Sequence, residues 1–332
     1  MPRLRTPVIL ASCLALALGA CGSSSGGDGA GEEGSGEQAS LEVVASFYPL
    51  EYLVERVAGD RADLTVLTGA GADPHDAELS PRAVGTVGSA DLVVYSSGLQ
   101  AAVDDAVAAQ APDDALDVTP VADLMAVGED AEEHAAHADE HAGEGEDEHA
   151  EEGDGHDHGG EDPHFWLDTE RYGEVARAIA DRLAEIDPEG ADTYETNAAA
   201  VVEDLRALDE DYTAGLAQCE SRDLVTTHEA FGYLAARYDL HQLGITGISP
   251  DSEPSPARLA EVSAQVEDLD VTTIYAEPIL SDAIASTVAQ ETGTQVLTLD
   301  PVESLTDASA GEDYLEVMRA NLDALTEGLG CS

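Results

Sequence analysis

From residue 41 onward, short β-branched and apolar runs alternate with segments of helical spacing, in two blocks. In the first block Leu41–Ser46, Asp63–Thr68, Asp91–Tyr95 and Leu116–Val118 read as strands, and Pro49–Ala58, Ser80–Ser89 and Leu99–Ala109 as helices. In the second, Asp223–Thr227, Leu240–Ile245, Val271–Ala276 and Gln295–Leu299 read as strands. Ala230–Tyr238, Ser255–Leu269, Ser281–Glu291 and Asp313–Leu329 read as their helices. Alternation of this kind requires parallel sheets, because a parallel neighbour is reached only through a crossover and the crossovers cover both faces. The pattern predicts two α/β lobes, residues 41–187 and 219–332. Between the blocks lie Glu170–Glu185 and Pro188–Ala217, both with apolar residues at three-four spacing. The second reads as a connecting helix over 188–218, opening at Pro188 and spanning roughly 45 Å at ~1.5 Å per residue.

The first block is interrupted by residues 129–161, EDAEEHAAHADEHAGEGEDEHAEEGDGHDHGGE, which contain no Arg or Lys. His134, His137, His141, His149, His156 and His158 lie among carboxylates there, a donor set that attracts divalent metals. The segment has no apolar periodicity and reads as a disordered loop of the first lobe. It can collect metal weakly, or it can be a solvated insertion without an essential role. Many weak sites do not make one closed site, since the entropy of ordering the loop opposes it.

Arg3 and Arg5 precede an apolar run from Val8 to Ala20, too short to span a bilayer, so residues 1–20 read as an export signal. The run ends Leu18-Gly19-Ala20-Cys21, like a bacterial lipobox, with Cys21 as the lipidated first residue of the mature chain. Residues 22–40, rich in Gly and Ser, read as a flexible tether with a reach of roughly 25 Å. The formal charge is -57 with no lysine; loss of Arg3 and Arg5 takes it from -57 to -59. Such a charge argues against nucleic acid or anionic lipid as a partner, and by itself it indicates acidic adaptation rather than metal handling. Of the cysteines, Cys13 leaves with the signal and Cys21 is acylated, which leaves Cys219 and Cys331 to pair in an exported protein.

In α/β sheets functional groups collect beyond the carboxyl ends of strands. Four polar residues stand in such places: His75 in GADPHDAELSP, His164 in DPHFWLD, His228 in TTHEAFGYL and Asp300 in LTLDP. Singly, each has an ordinary structural explanation as a turn, cap or packed side chain. Together they offer three imidazoles and one carboxylate, a donor set suited to zinc. Glu229 is a candidate partner for His228 or a helix-capping acid, Phe165 and Trp166 can keep the cleft dry or pack the core, and His241 reads as structural.

These four motifs, with GISPDSEPSPARL (247–259) and EPIL (277–280), resemble the ZnuA-like zinc and manganese substrate-binding proteins of bacterial ABC transporters, over about residues 41–330. The resemblance implies two Rossmann-like lobes with parallel sheets joined by a long rigid helix, and a metal site in the interlobe cleft. It implies His75, His164 and His228 as imidazole ligands and Asp300 as the carboxylate, with the histidine–acid loop before the second ligand motif. Manganese-type relatives tend to carry Glu at the third position; His228 there favours zinc. The implied function is a monomeric, lipid-anchored receptor, not an enzyme, that captures Zn2+ outside the cytoplasm and delivers it to an ABC permease. The alternatives are a manganese receptor, an extracellular zinc buffer or cell-adhesion protein, and a zinc-dependent hydrolase. The hydrolase lacks an HExxH motif and a general base beside the ligands.

Overall fold

The computed structural model describes residues 40–127, 160–250, 253–279 and 281–332. The export signal, Cys21, the tether up to residue 39 and all six histidines of the acidic run lie outside these residues.

Two four-stranded parallel sheets form the framework. The first holds β1 (Leu41–Ala45), β2 (Ala62–Val66), β3 (Leu92–Tyr95) and β4 (Ala115–Asp117) in the order β2-β1-β3-β4. The second holds β5 (Asp223–Thr226), β6 (His241–Gly244), β7 (Thr273–Ala276) and β8 (Gln295–Thr298) in the order β6-β5-β7-β8. The two orders are the same topology used twice. In each sheet the connections leave in opposite directions from the central pair, which opens a crevice at the carboxyl ends of those strands.

The helices follow from apolar spacing and local caps. In α1 (Tyr48–Ala58), Leu50, Leu53, Val54 and Val57 form one buried stripe, and Pro49 sits in its first turn. Between α1 and β2 runs a short 3-10 turn, Gly59–Arg61. The helix α2 (Pro81–Val87) begins where the Ser80 hydroxyl accepts the Ala83 N–H, and α3 (Ala101–Gln110) and the single turn α4 (Thr119–Ala122) complete the first lobe. Asp168 caps α5 (Thr169–Ile186) by accepting the Glu170 and Arg171 N–H groups. In the second lobe α7 (Gly232–Tyr238), α8 (Pro256–Asp268) and α9 (Ala283–Thr292) lie between strands, and Ser255 caps α8. The last helix is α10 (Tyr314–Gly328), capped by Asp313.

The connecting helix, α6, runs from Ala191 to Gly215, 25 residues or about 37 Å. Pro188 does not open it. The chain turns first, and Gly190 occupies the cap position. A side chain at 190 would collide with Arg61 and Asp187, whose ion pair Tyr194 also joins, so the helix starts only after that cluster.

One apolar core includes Val43 and Val94 of the first sheet, Leu224 and Tyr275 of the second, and the inner faces of α1, α5, α6 and α10. Smaller clusters cover the far face of each sheet. The lobes therefore share a packed interior. The predicted disulfide is present between Cys219, just beyond α6, and Cys331, just beyond α10. Among the described residues no helix is long and apolar enough to cross a membrane.

Candidate metal centre

Each ligand candidate sits on a connection rather than inside an element. His75 lies in the β2–α2 loop, where its backbone N–H bonds to Asp73 Oδ1 at 2.8 Å. His164 lies just before the 3-10 turn Phe165–Leu167 that leads into α5. His228 follows β5, one of the two central strands of the second sheet.

The three imidazoles meet. His75 Nε2 and His164 Nε2 are 3.3 Å apart. Glu303 Oε1 lies 3.0 Å from His164 Nε2, 3.4 Å from His75 Nε2 and 3.5 Å from His228 Nε2. One ligand atom from each of these four residues lies within 4.8 Å of all the others. A tetrahedron with metal–ligand bonds of about 2.0–2.1 Å has edges of about 3.3 Å, so the spacing fits zinc at its centre. His164, His228 and Glu303 are buried, and His228 Nε2 and Glu303 Oε2 have no hydrogen-bond partner in the protein. Buried polar atoms of this kind are otherwise paired, and a bound cation would account for the open His228 Nε2.

Asp300 is not one of the four. The carboxylate that joins the imidazoles is Glu303, three residues on, which corrects the expectation from LTLDP. Asp300 is buried, and its Oδ1 accepts the Val302 N–H at 2.8 Å. Burial pushes its carboxyl up to about 6, against the Val302 N–H and Ser309, with the Glu277 and Glu303 charges adding to the rise. Sequence reading missed Glu303. The only available signal was a second acid in the same loop, VESLT, without a strand end or histidine motif to single it out.

A second layer of carboxylates holds the imidazoles. Asp162 Oδ1 accepts both the backbone N–H and Nδ1 of His164, at 2.9 and 2.7 Å. Glu277, beyond β7, accepts from His228 Nδ1 at 2.6 Å and from the Thr227 hydroxyl. With Nδ1–H given to a carboxylate, each ring is left with its Nε2 lone pair facing the centre. Glu277 thus takes the role considered for Glu229. Glu229 packs over Gly244 with Arg258 nearby, and burial raises its pKa. Trp166 is fully buried, lies edge-on to His164 with centroids 5.3 Å apart, and donates Nε1–H to Pro301 O at 2.7 Å. It therefore packs the core and also ties the His164 segment to the Glu303 loop. His241 lies 3.4 Å from Asp223 and takes no part in the centre.

Without metal the neighbouring carboxylates favour the protonated form of His164 and His228. Burial opposes charge on His228, but Glu277 and Glu303 outweigh it and push the imidazole up to about 10. His164 is raised for the same reason, burial being outweighed by Asp162 and Glu303. Burial also works against charge on Glu303, yet the three imidazoles hold its carboxyl well below the usual range.

Residues 43–328 match the family described as zinc-uptake complex component A, periplasmic (ZnuA). The chain belongs to this family. It is 38% identical over 329 residues to the zinc-binding lipoprotein AdcA of Streptococcus pneumoniae, covering 96% of this chain and 60% of that protein. It is 32% identical over 324 residues to the high-affinity zinc uptake system protein ZnuA of Bacillus subtilis, covering 97% of this chain and 96% of that one. The crystal structure of Zn(II)-bound AdcA from S. pneumoniae superposes with a TM-score of 0.70 at 35% identity, over 88% of this chain and 58% of the other. The chain thus spans about 60% of the length of AdcA.

Proposed function

We propose that the protein is a zinc receptor that captures Zn2+ outside the cytoplasm and hands it to an ABC permease. The ligands are His75, His164, His228 and Glu303. The observation that carries this reading is the convergence of one ligand atom from each of the four residues within 4.8 Å, with Glu303 Oε1 3.0–3.5 Å from the three imidazole nitrogens. Three nitrogens and one oxygen favour zinc over the harder manganese. Zinc here is cargo. Four protein ligands complete a tetrahedral shell, and catalytic zinc sites keep one position for water instead, so the site suits binding rather than hydrolysis. The relatives named for zinc binding and zinc uptake support the same role, and the relative named a lipoprotein supports anchoring through Cys21 after removal of residues 1–20. Residues 188–218 link the lobes 41–187 and 219–332. The histidine–acid run, 129–161, acts on supply: its histidines gather zinc weakly beside the second ligand motif.

Competitive zinc titration tests the reading on the mature protein with and without residues 129–161. Deletion of the run should leave one tight site per chain, and His164→Ala should abolish it with the run intact. A tight site that survives His164→Ala, or disappears with the run, would sink the assignment.

A further inference from the structure

Asp300 is buried in the loop that carries Glu303, yet its carboxylate is not among the converging ligands. The loop has an unusual backbone. Val302, fully buried, has φ +59°, a left-handed conformation that a β-branched residue strongly avoids. Such a conformation persists only where its surroundings over-determine it. Here they do. Asp300 Oδ1 takes the Val302 N–H, and Asn321 of α10 clamps the Asp300 peptide groups, accepting its N–H at 2.9 Å and donating to its carbonyl at 2.7 Å. Trp166 holds the Pro301 carbonyl, and the Ser304 hydroxyl accepts the Gly71 N–H across the cleft. The reversal at Val302 comes immediately before Glu303, whose Oε1 then reaches all three imidazoles.

We propose that Asp300 is a positioning residue for Glu303: anchored by Asn321, it holds Val302 in the left-handed turn that delivers the Glu303 carboxylate to the three imidazoles. This inference rests on the ligand set proposed above. It differs from ligation in one respect that can be measured. A ligand needs the negative charge of Asp300, whereas a positioning residue needs only an acceptor for the Val302 N–H, and an asparagine oxygen supplies that.

The test uses the mature full-length protein and four variants, Asp300→Asn, Asp300→Ala, Asp300→Ser and Glu303→Gln. Zinc affinity is read by competition with a chelator, release by stopped flow, and coordination by the visible absorption of bound Co2+. Asp300→Asn should stay within about threefold of wild type with an unchanged Co2+ spectrum. Asp300→Ala should weaken binding roughly 10- to 100-fold, as loss of an outer partner typically does, with faster release and an altered Co2+ spectrum. Should the alanine variant fail to fold, Asp300→Ser decides. Its hydroxyl accepts the same bond more weakly, so an affinity between those of Asp300→Asn and Glu303→Gln supports the proposal. Asparagine as damaging as Glu303→Gln would show that Asp300 acts through its charge, and alanine or serine equal to asparagine would show that the turn does not position Glu303. Either result overturns the inference. A Glu303→Gln variant with unchanged affinity would instead remove the ligand set, and this inference with it.

Discussion

At the proposed site, the His228 proton is what zinc would have to displace. Both imidazoles are raised in the metal-free fold: burial is outweighed at His228, which reaches about 10, by Glu277 and Glu303, and at His164 by Asp162 and Glu303. An imidazole must be neutral to bind a metal, so zinc binding at pH 7.5 should expel the His228 proton, and affinity should keep rising with pH well above ~6.5, the midpoint of a free imidazole. Calorimetric titration in buffers of different ionisation enthalpy should show release of at least one proton per zinc at pH 7.5; no release would contradict this. Stability of the metal-free protein follows the same shifts. The His228 contribution is fully present below ~6.5 and is lost as pH rises toward about 10, whereas that of Glu303 is present above ~4.3 and is lost as pH falls. The three histidines were legible in the sequence because each lies in a polar motif beside a predicted strand or helix boundary. The carboxylate was not. Asp300 and Glu303 share a loop, and which of them faces the imidazoles depends on a left-handed Val302 that residue preference argues against. The lone tryptophan offers a check on the site. Co2+ should quench Trp166 fluorescence one-to-one with binding, because the ring packs against His164; an unaltered emission would place the metal elsewhere.

At the scale of elements, every strand and inter-strand helix read from periodicity is present within a few residues of its expected bounds. The central strands β1, β3, β5 and β7 are largely buried and leave a continuous apolar signature, whereas the edge strands β2 and β8 are read from β-branched runs between helices. What periodicity does not carry is contact between distant connections. Glu277 lies at the carboxyl end of β7 and backs His228 across the central strand pair, and nothing in EPIL announces that partner. Glu277→Ala should weaken zinc roughly 10- to 100-fold, with His164→Ala far worse, in the same chelator competition. Pro188 suits a first helical turn in isolation, but α6 begins at Ala191 because the Arg61–Asp187 cluster at Gly190 delays it. The disulfide joins the chain just beyond α6 to the chain just beyond α10, Cys219 to Cys331, across 112 residues. Closing so long a loop contributes up to about 5 kcal/mol. Replacing both cysteines with serine should lower the thermal midpoint by up to about 10 °C and leave zinc affinity unchanged, since neither cysteine is among the converging ligands.

Over the whole molecule, charge would act on the approach of zinc to the proposed site rather than on its retention there. The chain carries -57, and a cavity of about 560 Å³ beside His75 is lined by Asp76, Glu78, Asp104 and Asp105 as well. Clefts lined by one sign of charge concentrate counter-ions and raise association rates by roughly 10- to 1,000-fold at low ionic strength. The lobes share a packed core, so wholesale opening would disrupt it, and the cavity beside His75 offers a shorter route to the buried ligands. The rate of zinc association should therefore fall at least about tenfold between 10 mM and 500 mM salt, as the screening length shrinks from about 30 Å toward a few ångströms. Dissociation, governed by four short bonds in a dry site, should barely change. Neutralising Asp76, Glu78 and Asp105 together to Asn, Gln and Asn should reproduce the slower association at low salt while leaving release as it is. Stopped-flow measurement of both rates separates the two contributions. An association rate indifferent to salt and to these three residues would mean that the acidic surface keeps the protein soluble and does nothing to steer zinc.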